Sequence, residues 1–206
     1  MKASEDGNGM GRDTTMCGDP KIWFPMRVTY SREMKVKAEL DRLGIECFVP
    51  MMYRLVEVLK DGFSDLRKHG ETELRKELVP AINNLIFVRS TQERISGLKT
   101  SNEVLEPLRY MMDRTAGREH EIMTVADRQM ENFLRVASMT DESVMFLDET
   151  SIVGEEGKRV RIMGGAFEGV EGVIRRVKRC KRVVVEIEGV MSVAVAWVPA
   201  GWVKEI

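Results

Sequence analysis

Between Gly164 and Gly172 the chain places four glycines in nine residues, within VRIMGGAFEGVEGVIRRV (160–177), and flanks them with short runs alternating apolar and charged side chains. Alternation with a period of two marks a strand with one buried face. Glycine reaches positive φ without steric cost, so the stretch predicts two strands joined by a tight loop that carries Phe167 and Val170 outward or into the mouth of a barrel. A phosphate cradle is the rival use of so many glycines, but the G-x-G-x-x-G spacing is absent and no helical pattern follows. KRVRIM, GVIRRV, RVVVEI, MSVAVAWV and WVKEI are β-branched-rich runs spread over residues 157–206. A unit this small has little core, and an open sheet would leave adhesive edges, so these runs predict a small closed barrel rather than helices.

Charge divides the chain in a second way. The net charge of −1 conceals a neutral body (1–138, with 22 bases and 22 acids), an acidic connector (139–156, with six acids and no base) and a basic tail (157–206, with ten bases against five acids). With 43% hydrophobic and 32% charged residues, the 206-residue chain has the composition of a globular protein and the length of two small domains. No apolar run approaches the roughly 20 residues needed to cross a bilayer, and the N-terminus lacks the apolar core of a signal peptide. The expectation is a cytoplasmic protein with no membrane contact. Cys17, Cys47 and Cys180 are odd in number and widely spaced, which speaks against a disulfide framework or a zinc site. His69 and His120 lie in charged, loop-like sequence with no nucleophile beside them. No constellation supports an enzyme, and no cofactor or metal is expected.

Ahead of the connector the elements alternate. Residues 1–20 read as a disordered arm rich in Gly, Asp, Asn and Thr. KIWFPMRVTY has the period of a strand, and Ser31 reads as the N-cap of a helix over REMKVKAELDRL, whose Val36, Leu40 and Leu43 share one face. IECFVPMMYRLVEVLK reads as one strand, 61–77 as a loop or hairpin tip, NNLIFVRS as a buried strand, TQERISGLKT as a short helix and EVLEPLRYMM as a strand. Thr124 and Asp127 form a capping-box pattern before ADRQMENFLRVAS, where Met130, Phe133, Leu134 and Ala137 make an apolar face. The order β-α-β-β-α-β-α predicts an α+β sandwich over 21–138.

The stretch Val160–Val177 resembles a KOW motif, with a hydrophobic strand, a glycine-rich loop holding an aromatic, a glycine at Gly172 and an apolar strand. Upstream, WFPMRVTYSREMKVKAELDRLGIECFVPM (23–51) and LVPAINNLIFV (78–88) resemble the opening strand, first helix and central strand of a NusG N-terminal domain. The pair in this order, spanning 21–206, resembles the NusG family. The resemblance implies a NusG N-terminal-like α/β sandwich with an antiparallel sheet (21–138), an acidic linker (139–156) and an SH3-like KOW β-barrel (157–206). It also implies a non-enzymatic, monomeric transcription elongation or antitermination factor. Such a factor binds the clamp helices of RNA polymerase through its first domain and recruits Rho or a NusE-type ribosomal protein through its second.

On that resemblance the polymerase-facing patch comprises Trp23, Phe24, Leu85, Phe87 and Tyr110, the contacts to non-template DNA Arg32 and Lys35, and the KOW partner contacts Phe167 and Val170. Asn83-Asn84-Leu85 stands where housekeeping relatives have a Pro-Gly-Tyr turn, which makes the chain similar to specialised UpxY-type antiterminators of capsular polysaccharide operons. A ribosome-associated or RNA-binding KOW protein is the alternative. Its support is the run RRVKRCKR (175–182), six cations in eight residues; against it stand the lack of an interleaved aromatic and the use of charge to keep a barrel edge soluble.

Overall fold

The structure is a computed structural model that describes residues 20–59, 72–113, 117, 120–139, 143–147, 152–153, 157–195 and 198–206. The expected N-terminal arm, with Cys17, lies outside the described residues, as does His69. Four antiparallel strands, β1 (Ile22–Val28), β2 (Glu46–Phe48), β5 (Leu85–Ser90) and β6 (Leu108–Tyr110), form a sheet in the order β2-β5-β1-β6. α1 (Glu33–Arg42) and α2 (Gln92–Ser101) contribute to the core on one face of it, where Phe24, Met26, Val28, Ile86 and Val88 bury against Val36, Leu40 and Ile95. The opposite face carries Trp23, Leu85 and Phe87 and is covered by α3 (Asp127–Ala137), whose Phe133 ring lies 5.4 Å from that of Phe87.

Several local expectations are corrected. The run 45–60 is not one strand: it breaks at Val49-Pro50 into β2 and β3 (Met51–Leu59), because proline lacks the ladder donor. Part of the stretch 61–77 expected as a loop or hairpin tip is strand β4 (Thr72–Pro80), which among the described residues pairs with β3 alone in a two-stranded hairpin. Ser31 does not cap α1. It sits at φ +49 beside Tyr30 at φ +65, and its N–H donates to the Asn84 side chain at 3.0 Å. Thr124 makes no capping box either, since Ala126 holds the N-cap position without a side-chain bond. A side-chain cap occurs instead at Thr91, whose hydroxyl accepts from the Arg94 N–H of α2.

The five runs expected as strands in the tail are strands: β9 (Arg159–Ile162), β10 (Glu171–Val177), β11 (Cys180–Ile187), β12 (Met191–Val195) and β13 (Val203–Glu205). Two glycines of this stretch are required, one in the loop between β9 and β10 and one inside β10. Gly165 takes φ +79 under the Trp202 ring, and at Gly172 an added Cβ would stand 2.6 Å from the Val184 carbonyl oxygen of the neighbouring strand. Of the two directions expected for Phe167 and Val170, outward is corrected: both are buried, because the compact loop folds its apolar side chains inward. The connector 139–156 is not simply a linker. Its Val144–Leu147 forms β7 along β12 and its Ile152–Val153 forms β8 along β10, giving a seven-stranded sheet in the order β13-β9-β10-β11-β12-β7 with β8 beside β10. The apolar run VMFL favours this for β7, whose Leu147 is buried whatever the charge around it.

The C-terminal sheet is not independent of the first. Trp23, Leu85 and Phe87, then Met130 and Phe133 of α3, then Val160, Ile162, Val185 and Val193 belong to one continuous apolar cluster. α3 is therefore two-sided. Met130, Phe133 and Ala137 bury, while Arg128, Asn132 and Arg135 at i, i+4 and i+7 reach the C-terminal sheet.

Candidate functional site

The five residues expected on one polymerase-facing patch lie on two opposite faces of the β2-β5-β1-β6 sheet. Trp23, Leu85 and Phe87 belong to the cluster under α3, whereas Phe24 and Tyr110 belong with α1 and α2. Neighbouring strand residues point to opposite faces, so Trp23 and Phe24 cannot share a surface. Trp23, Phe24, Leu85 and Phe87 are all buried, which corrects their assignment to an outer patch. Tyr110 is half-buried and engaged internally: it packs edge-on against Phe24 at 5.5 Å, its hydroxyl donates to the Gln92 carbonyl at 3.1 Å, and Lys99 lies over its ring. Burial raises the Tyr110 phenol above its usual value and lowers Lys99.

An exposed apolar surface lies elsewhere. In the β3–β4 hairpin Tyr53 pairs with Leu78, Leu55 with Lys76 and Glu57 with Leu74, so these residues line one face. Tyr53, Leu55, Leu74 and Leu78 expose 43%, 63%, 65% and 47% of their surfaces, and Lys76 sits over the Tyr53 ring at 4.9 Å. The readable signal was the even spacing of Leu74, Lys76 and Leu78 in TELRKELVP, a strand face hidden inside a charged stretch.

Arg32 and Lys35, expected to meet DNA, are exposed on the first turn of α1. Their neighbourhood is held by defined contacts. Glu33 is buried and accepts the Asn84 N–H, Asn84 itself has φ +64, and Tyr30, 83% exposed, carries the Arg32 guanidinium over its ring. On α1's other flank, burial and the nearby Asp41 push the Cys47 thiol up to about 12.

The seam between α3 and the C-terminal sheet centres on Glu171. Its carboxylate accepts from Arg161 and from Arg128 at 2.8 Å, and its N–H donates to Asn132 Oδ1. The Arg161 bond first, then Arg128, holds this carboxyl below its ordinary value. Gln129 donates to the Glu186 carbonyl and Arg135 to that of Glu168. Among the described residues no cluster of His, Cys, Asp and Glu could hold a metal ion, and no helix is long and apolar enough to cross a membrane.

No curated protein matches the chain. The family model described as "Transcription termination factor nusG" matches residues 21–134, which is more than half of the 206 and runs from β1 into α3. On that match the chain belongs to the NusG family, whose members are non-enzymatic transcription factors that bind RNA polymerase.

Proposed function

We propose that this chain is a transcription elongation or antitermination factor that grips the clamp helices of RNA polymerase through the apolar face of its β3–β4 hairpin. The observation that carries the reading is the row of Tyr53, Leu55, Leu74 and Leu78 exposed on a hairpin that pairs with no other strand among the described residues, in a chain of a polymerase-binding family. Aromatic and aliphatic side chains of this kind, packed into a partner's pockets, supply most of an interface's binding energy. Trp23, Phe24, Leu85 and Phe87 then serve the hairpin indirectly, by fixing the sheet whose strands β2 and β5 flank it in the chain. Arg32 and Lys35 lie where attraction to phosphates of the non-template strand would suit exposed cations.

In this reading the C-terminal sheet is the KOW unit that receives a second partner, a NusE-type ribosomal protein or Rho. The order β13-β9-β10-β11-β12, with a 3₁₀ turn at Ala200–Trp202 before the last strand, supports an SH3-like unit. The specialised, UpxY-like assignment draws on Asn83-Asn84-Leu85, where Asn84 adopts the positive φ that a glycine would otherwise supply. Binding of the purified chain to core RNA polymerase tests the proposal. Leu55→Asp with Leu74→Asp should weaken binding at least tenfold and abolish readthrough of a terminator in run-on transcription, with far-UV circular dichroism unchanged. Undiminished binding by the double variant would reject the hairpin as the grip.

A further inference from the structure

The run Arg175–Arg182 forms the facing ends of β10 and β11 and the tight turn between them, and among the described residues β11 pairs with β12 only at Val184–Ile187. A charged fringe keeps such an end soluble, but it does not call for cations set opposite each other. The register sets like charges opposite each other, Arg175 against Arg182 and Arg176 against Lys181, an arrangement that destabilises an antiparallel pair. Val177 pairs with Cys180, so the connection is a two-residue turn, and both of its residues, Lys178 (φ +47) and Arg179 (φ +69), are left-handed. Asn-Gly or Gly-Gly fills such a turn without strain; here two cations are held in it instead. Arg175 has a partner in Glu186 at 3.2 Å. Arg176, Lys178, Arg179 and Lys181 are exposed, and among the described residues none has a side-chain hydrogen bond or ion pair. Four unpaired cations thus crowd the end of one narrow ribbon at a local cost that nothing inside the described fold offsets.

We propose that the tip of the β10–β11 ribbon is a docking surface for the sugar-phosphate backbone of duplex DNA. A polyanion relieves both the facing Arg176–Lys181 pair and the unpaired cations. A two-stranded β-ribbon is narrow enough to enter a major groove, about 12 Å wide. Single-stranded nucleic acid is disfavoured because its recognition uses aromatic platforms for the bases, and 175–182 contains no aromatic residue. The contact reads no base sequence: it positions the C-terminal sheet on DNA while the N-terminal sheet serves its own partner.

The test is fluorescence anisotropy of the full chain with a labelled 30-base-pair duplex of arbitrary sequence, titrated from about 50 to 200 mM salt. The expected result is binding whose log K falls with log salt at a slope near −3 to −4, as about four phosphate contacts require. Lys178→Asn with Arg179→Gly should weaken binding at least tenfold at low salt and flatten the slope by about 2. The same variant restores the favoured turn, so its melting temperature should not fall, which separates lost contact from lost fold. Salt-insensitive binding, binding unaffected by the variant, tighter binding to a single-stranded RNA of equal length, or equal binding to polyglutamate would each overturn the proposal. Because no polymerase is present, failure here leaves the hairpin reading standing, and failure of the hairpin reading leaves this one.

Discussion

Single residues set the seam between the two sheets, and Glu171 is the most consequential of them. The unfolded chain protonates this carboxyl near its ordinary value, about 4.3, while the folded chain holds it lower through Arg161 and Arg128. Its stabilisation is therefore complete above about pH 5 and is lost as pH falls through the folded value. Partly exposed ion pairs contribute about 1 kcal/mol or less each, so Glu171→Gln should lower the melting temperature by about 2–4 °C at pH 7. The difference from the parent protein should narrow as pH falls below about 4.3 and close beneath the lower folded value; a constant gap would place the effect in packing. Cys47 behaves in the opposite sense. With its thiol pushed up to about 12, only about one part in ten thousand is thiolate at pH 8, so alkylation in a Cys17→Ser background should mark the exposed Cys180 long before Cys47. Equal labelling in peptide mass spectra would contradict the burial of Cys47. Above about pH 8.5 the unfolded thiol ionises while the folded one does not, so this group favours unfolding as pH rises further.

At the scale of elements, Gly172 shows what the glycine-rich stretch is for. Gly172→Ala drives a methyl to 2.6 Å from the Val184 carbonyl, and overpacking of this sort costs about 1–3 kcal/mol, readable as a lowered urea midpoint with an unchanged slope. Apolar strands were legible in the sequence: β1 by its alternation, β5 as a buried run and all five tail strands as β-branched runs fall where they were expected. So was the Val36–Leu40 stripe of α1. Illegible were features set by tertiary pairing. β4 hides in TELRKELVP because an exposed hairpin needs no apolar majority, and β7 and β8 hide in an acidic stretch because charge was weighed above VMFL and IV. The caps failed for a related reason: Ser31 is drawn out of capping geometry by Asn84, 53 residues away. As for the candidate site, the strand patterning pointed to residues of the β2-β5-β1-β6 sheet and passed over the exposed apolar face of the β3–β4 hairpin. Alternation reports that a face is buried without saying which of two layers buries it.

The largest departure concerns the whole molecule. A charged connector between two patterned regions predicts lobes joined by a tether, yet α3 puts Phe133 against Phe87 and Phe48 while its polar stripe bonds to Glu168, Glu171 and Glu186 of the C-terminal sheet. Small units bury too little surface to be robust alone, and a shared helix lets each complete the other's core. The consequence is cooperative: Phe133 is fully buried in the cluster common to both sheets, and truncating such a ring costs about 3–5 kcal/mol. Native-state hydrogen exchange reads where that cost is felt. In the parent chain the amides of Ile86 and Val88 in β5 and of Val184 and Val185 in β11 should open with similar free energies, and Phe133→Ala should lower all four together by about 3 kcal/mol or more. Two lobes on a free tether would instead lose protection in β5 alone, leaving β11 at its parental value, and that outcome would dissolve the shared core.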